Sequence, residues 1–136
     1  MSRETDLAWA AGIVDGEGCI CLHYATTQSG RCYVLRLTVT NTDLRMLEHL
    51  KQIIGLGTIH SQMRRNPKYK PCWNWLVCSK KAEEALKLIQ PYLIGKREQA
   101  ELGLLSRKYM GKHGANKPNP NQSQLADIRV QLKDMH

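Results

Sequence analysis

Two acids, Asp15 and Glu17, stand one residue apart in the stretch "GIVDGEGCICLHY", with glycines at 12, 16 and 18 around them. Carboxylates gathered where a helix gives way to a strand are hard oxygen donors, the kind a divalent cation takes. The residues ahead of them are small: Ala8, Gly12 and Gly16. Gly inside a helix costs about 1 kcal/mol relative to Ala, so a helix serving only as core filler would carry Leu or Met there. Either something approaches this helix closely, or something uses the acids.

Charge separates this spot from the rest of the chain. The 136 residues hold 20 Lys+Arg and 12 Asp+Glu, a formal charge of +8. Residues 1–18 contain four acids (Glu4, Asp6, Asp15, Glu17) and one base (Arg3), so the other 118 residues carry +11. A basic body around a small acidic spot suits a polyanion, with the acids able to hold a metal against it. No apolar run approaches the roughly 20 residues of a membrane span, and no signal peptide opens the chain. The expectation is an intracellular protein, not secreted, in the cytoplasm or an organelle matrix. The five cysteines are odd in number and lack a Cys-x-x-Cys pair, so they read as reduced packing residues rather than a zinc site.

The elements that must position the acids follow from periodicity. Thr5 caps a helix running to about Gly16. From Gly18 to Ala25 the pattern has period two, with Ile20, Leu22 and Tyr24 opposite Cys19, Cys21 and His23. After "TTQSGR", Tyr33, Leu35, Leu37 and Val39 alternate with Cys32, Val34, Arg36, Thr38 and Thr40, which gives a hairpin. Asn41 or Thr42 caps a helix with Leu44, Leu47, Leu50 and Ile54 on one stripe, ended by Gly55. Residues 57–65 and 72–78 form a second hairpin, with Ile59 and Met63 inward and Thr58, His60, Gln62 and Arg64 outward. Trp73, Trp75 and Val77 share its apolar face, and Trp9 packs under the sheet. Helices at about 80–90, 95–110 and 124–134 complete the chain, the last two joined by the basic loop "GKHGANKPNPNQSQ". The order predicts an α+β fold, an antiparallel β-sheet saddle packed under helices in an α-β-β-α-β-β-α core with a C-terminal helix. Residues 1–110 form that core; 111–136 supply the basic loop and last helix of the same domain.

"AAGIVDGEG", Ala10 to Gly18, resembles the motif of the LAGLIDADG homing endonucleases, six of nine positions agreeing in residue or close type. "IIGLGTI" falls where that family carries a Gly-x-Gly before its third strand, and "QPYLIGKREQAEL" is similar to its segment after the third helix. The likeness covers about residues 5–110. It implies a single-motif chain that works as a homodimer, with Ala8, Ala11 and Gly12 at the contact between two motif helices. Symmetry then implies a near-palindromic target in double-stranded DNA.

The resemblance also assigns roles. Glu17, where the family often has Asp, would be the metal-binding acid, joined by the Gly16 backbone carbonyl on Mg²⁺ or another divalent cation such as Mn²⁺. Asp15 would accept backbone N–H groups at the helix-to-strand turn. Lys96 matches a catalytic-pocket lysine, Asn41 falls where a Gln commonly orders water, and Arg45 matches a nearby arginine. Phosphodiester hydrolysis by metal-activated water is the implied reaction. The sheet would lie in the major groove. Cys21, His23, Arg36, Thr38, Thr40, Thr58, His60, Gln62 and Arg64 would face the bases, with Arg36 and Arg64 reading guanine and Gln62 adenine. Arg65, Lys68, Lys70, Lys112 and Lys117 would touch phosphates. An RNA maturase with intron RNA as partner, or a non-cleaving sequence-specific DNA-binding protein of the same fold, is the alternative.

Overall fold

The computed structural model describes residues 2–27, 30–62, 68–110 and 120–136. Helix α1 (Arg3–Glu17) leads into strands β1 (Gly18–Thr27) and β2 (Gly30–Asn41), then helix α2 (Leu44–Ile54). Strands β3 (Thr58–Gln62) and β4 (Cys72–Cys78) follow, then α3 (Ser79–Ile89), one turn of 3-10 helix, α4 (Arg97–Met110) and α5 (Gln122–Asp134). This is the predicted order. Element ends differ where a better-placed oxygen takes the cap. Ser2, extended at φ −73°, ψ 156°, accepts the Thr5 N–H and caps α1 in place of Thr5. Asp43 accepts the Arg45 N–H and caps α2, while Asn41 stays in β2.

The four strands form one antiparallel sheet in the order β1-β2-β4-β3, so each hairpin's inner strand pairs at the centre. Strict alternation buries Ile20, Leu22, Leu35, Leu37, Val39, Trp75 and Val77 on one face. Helices α1 to α4 close over that face with Leu7, Val14, Leu47, Leu50, Leu86 and Ile89. Trp75 is fully buried and its indole N–H donates to the Leu56 carbonyl at 3.0 Å. Gly57 (φ +105°) lies against that indole: a Cβ there would collide with Trp75 Nε1 and sit 2.8 Å from Cε2. Only glycine meets both the backbone angle and the contact.

One packing expectation is corrected. Trp9 is half-buried between α1 and α2, edge-on to His49 at 4.7 Å, rather than under the sheet. Trp73 packs against the core but is only half-buried. Met63 falls outside the described residues. Helix α5 packs on α4 and along β1, the sheet edge. Arg129 Nε donates to the Leu22 carbonyl at 3.2 Å, and the His136 ring sits 3.0 Å from the Ile20 carbonyl. Side chains of the last segment thus occupy two acceptors on an edge that would otherwise invite another strand.

Candidate active site and nucleic-acid interface

Helix α1 ends abruptly because Gly18 allows it. A Cβ at Gly18 would lie 2.7 Å from the Val14 carbonyl oxygen and 2.9 Å from Val14 Cγ1. The chain therefore turns into β1 directly after Glu17, leaving that carboxylate exposed at the helix terminus. The last carbonyls of a helix have no partner within it. Gly18 N–H takes the Val14 oxygen, and Lys96 Nζ donates to the Asp15 oxygen at 2.8 Å. A cation at this end also complements the helix dipole.

Asp15 works across the chain rather than within its own turn. Its Oδ2 accepts the Ile94 N–H and its Oδ1 the Lys96 N–H, both at 2.9 Å. The Asp15 side chain thus pins the loop ahead of α4 beside the end of α1 and brings Lys96, half-buried, to that end. Asn41 comes in from β2: its Nδ2 donates to Glu17 Oε2 at 2.9 Å while its Oδ1 accepts the Asp43 N–H at 2.8 Å. The Asp43 donor fixes which end of the amide faces the acid.

Of the predicted catalytic residues, Asn41 is bonded to Glu17 and Lys96 to the Asp15 carbonyl at the same helix end, while Arg45 is engaged by Asp43. Its guanidinium is 88% exposed and turned to Asp43 in a 2.9 Å ion pair, a bidentate partner two residues away being a nearer attraction than Glu17. The hydrogen bond from Arg45 holds the Asp43 carboxyl below its ordinary value. Of the helix-contact residues, Ala8 and Gly12 are exposed, but Ala11 points into the core at 0% exposure. Helical periodicity places Ala11 on the face of Leu7 and Val14, so the open face of α1 reads Ala8, Gly12 and Gly16. A Cβ on either glycine would meet nothing within 4 Å in this chain.

For a divalent cation, the fit is by donor chemistry. Glu17 Oε1 and the Gly16 carbonyl are oxygen donors with no hydrogen bond in the described set, as Mg²⁺ prefers. Among the described residues no group of three or more His, Cys, Asp or Glu is placed to hold a metal. A cation here would need further ligands from outside the chain.

The other face of the sheet carries most of the predicted base-facing residues. Register sets Cys19, Thr38, Leu76 and Thr58 in one row, Cys21, Arg36 and Cys78 in another, and Thr40, Asn74 and His60 in a third. His23, Thr58, His60 and Gln62 are exposed; Cys21, Arg36, Thr38 and Thr40 are partly so. No hydrogen bond or ion pair among the described residues engages the Arg36 guanidinium. Burial, with neighbouring Cys19, pushes the Cys21 thiol up, and Arg36 pulls the other way. Thr58 Oγ1 and His60 Nε2 share a hydrogen bond of 2.9 Å. Lys68 and Lys70 are exposed beyond β3; Arg64, Arg65, Lys112 and Lys117 lie outside the described residues. Asn74 lies on this face as alternation with Trp73 and Trp75 requires; sequence reasoning did not count it among the base-facing residues and did not place Leu76, which the same alternation puts there.

The sequence model described as "LAGLIDADG endonuclease" matches residues 10–109, and the chain belongs to that family. No curated protein sequence matches it significantly. Among solved structures it is similar to the homing endonuclease I-CvuI in complex with the I-CreI target, at 24% identity and TM-score 0.80, over 98% of this chain and 83% of that one. The archaeal intron-encoded homing endonuclease I-Vdi141I complexed with DNA aligns at 13% identity and TM-score 0.79, over 99% and 86%. Meganuclease I-SmaMI bound to uncleavable DNA aligns at 17% and TM-score 0.73, over 93% of this chain but 44% of its own. No helix among the described residues is long and apolar enough to cross a membrane.

Proposed function

We propose that this chain is a site-specific endonuclease that cuts double-stranded DNA as a homodimer at a long near-palindromic site. The observation that carries the reading is Glu17 at the exposed end of a helix face made of Ala8, Gly12 and Gly16, none of whose glycines serves this chain. Two such faces in contact would bring two Glu17 carboxylates together and supply the ligands one chain lacks. The match to 44% of I-SmaMI is what a half-length relative gives.

In this account Glu17 and the Gly16 carbonyl would hold Mg²⁺ or a similar divalent cation, which would supply an activated water and neutralise phosphate charge for phosphodiester hydrolysis. Asn41 holds the Glu17 carboxylate in one orientation. Lys96 sets positive charge beside the scissile phosphate, anchored through Asp15. The open sheet face lies in the major groove, where Arg36 donates to guanine and Thr38, Thr40, Thr58 and His60 contact bases directly or through water. Lys68 and Lys70 add phosphate contacts. Incubating the protein with a randomised duplex pool and Mg²⁺, then sequencing the cut ends, tests this. Recurrent ends inside a near-palindrome support it; enriched binding without cuts, or selection of RNA instead, contradicts the nuclease.

A further inference from the structure

A hydrogen-bond chain with a direction runs from the third row of the open face to Gln62, which pairs with Cys72 in the next row. The Thr40 hydroxyl donates to Asn74 Oδ1, and Asn74 Nδ2 donates to Gln62 Oε1 at 3.1 Å. The Cys72 thiol, 2% exposed, donates to the same Gln62 oxygen at 3.5 Å. A carbonyl oxygen offers two lone pairs, and both on Gln62 are taken from within the protein. Gln62 is itself exposed, and what it leaves to present is its amide NH₂.

We propose that Asn74 sets the polarity of this hydrogen-bond chain, so that Gln62 meets the DNA as a hydrogen-bond donor only and selects guanine rather than adenine. The inference rests on the DNA reading above and departs from the expectation that Gln62 reads adenine. Bidentate recognition of adenine needs the glutamine oxygen to accept from N6 while the nitrogen donates to N7. That oxygen is occupied. Guanine offers two acceptors in the major groove, N7 and O6, which suit a donor-only amide; thymine O4 is a lesser match. Cytosine presents only its N4 donor and is rejected, as an NH₂ facing another NH₂ forms no bond.

The substitution Asn74→Asp reverses the chain. The new carboxylate accepts from Thr40 as before but cannot donate, so Gln62 turns its NH₂ inward to that carboxylate and shows its oxygen to the groove. Target selection from a randomised duplex pool with the wild-type chain, Asn74→Asp and Gln62→Ala reads this directly, with far-ultraviolet circular dichroism confirming that each variant is folded. Gln62→Ala identifies the base pair that Gln62 reads by flattening preference there alone. At that pair the wild type is expected to select guanine about tenfold over adenine, and Asn74→Asp to move the preference to adenine or cytosine. A wild-type preference for adenine or cytosine there, or a profile that Asn74→Asp leaves unchanged, overturns this inference while the DNA reading stands. A wild-type chain that selects no sequence overturns both.

Discussion

Asn41 and Glu17 meet across 2.9 Å although 24 residues separate them, one at the end of β2 and the other at the end of α1. The same Asn41 side chain accepts the Asp43 N–H, so one amide ties the helix α2 cap to the exposed acid at the α1 terminus. Asn41→Ala frees Glu17 to rotate. The expected result is a single-turnover cleavage rate lower by about 10–100-fold with target affinity retained, measured with matched binding isotherms.

Asp15 accepts two backbone N–H groups with one carboxylate. Asp15→Ala leaves both without that partner and is expected to cost roughly 2 kcal/mol. Thermal unfolding checks it, with a drop on the order of 5 °C. Lys96 loses the partner of its backbone N–H and keeps only the Nζ bond to the residue 15 carbonyl, so cleavage falls by more than the stability loss alone would give.

Gly12 and Gly18 should respond in opposite ways to alanine. At Gly12 the added methyl meets nothing in the chain, so Gly12→Ala raises the stability of the isolated chain by up to about 1 kcal/mol. On the homodimer reading, it also separates the paired helices and weakens association, visible by analytical ultracentrifugation. At Gly18 the methyl strikes the Val14 backbone, and Gly18→Ala destabilises by about 1–3 kcal/mol.

Glu83 joins α3 to α4 through Arg107 at 3.2 Å and also pairs with Lys87 at 3.3 Å. Burial alone would raise its carboxyl, but the hydrogen bonds from Arg107 and Lys87 outweigh this and hold it below the ordinary value. A carboxyl lowered on folding contributes stability above its unfolded value, near 4.5, and loses it as pH falls through the folded one. Glu83→Gln should therefore melt lower than the wild type at pH 7, by no more than about 1 kcal/mol. The gap should close as pH drops below 4.5, in a series of melts from pH 7 to pH 3.

Much of this architecture was legible because both hairpins alternate strictly. Leu35, Leu37 and Val39 against Arg36, Thr38 and Thr40 left one way to face the core, and the glycines and acids of α1 marked the site. Partnerships made across long separations were not legible. Asp15 reaches residues 94 and 96, and no local pattern announces that. Ala11 and Gly12 look alike as small residues in sequence, yet about 100° of helical rotation puts one in the core and the other outside. Arg45 matches a position by likeness, but the Asp43 carboxylate two residues away holds it. Alternation suffices to put Asn74 on the open face, while its hydrogen-bond direction depends on Thr40 and Gln62 from the neighbouring strands.

The most direct test of the account is Glu17→Gln, compared with the wild type for binding and for Mg²⁺-dependent cutting of the target selected from the duplex pool. The account predicts unchanged affinity and cleavage reduced by at least about 10³-fold, since the amide keeps the shape and loses the charge that holds the cation. A variant that cuts as fast as the wild type would contradict the assignment of Glu17 as the acid at the centre of the site.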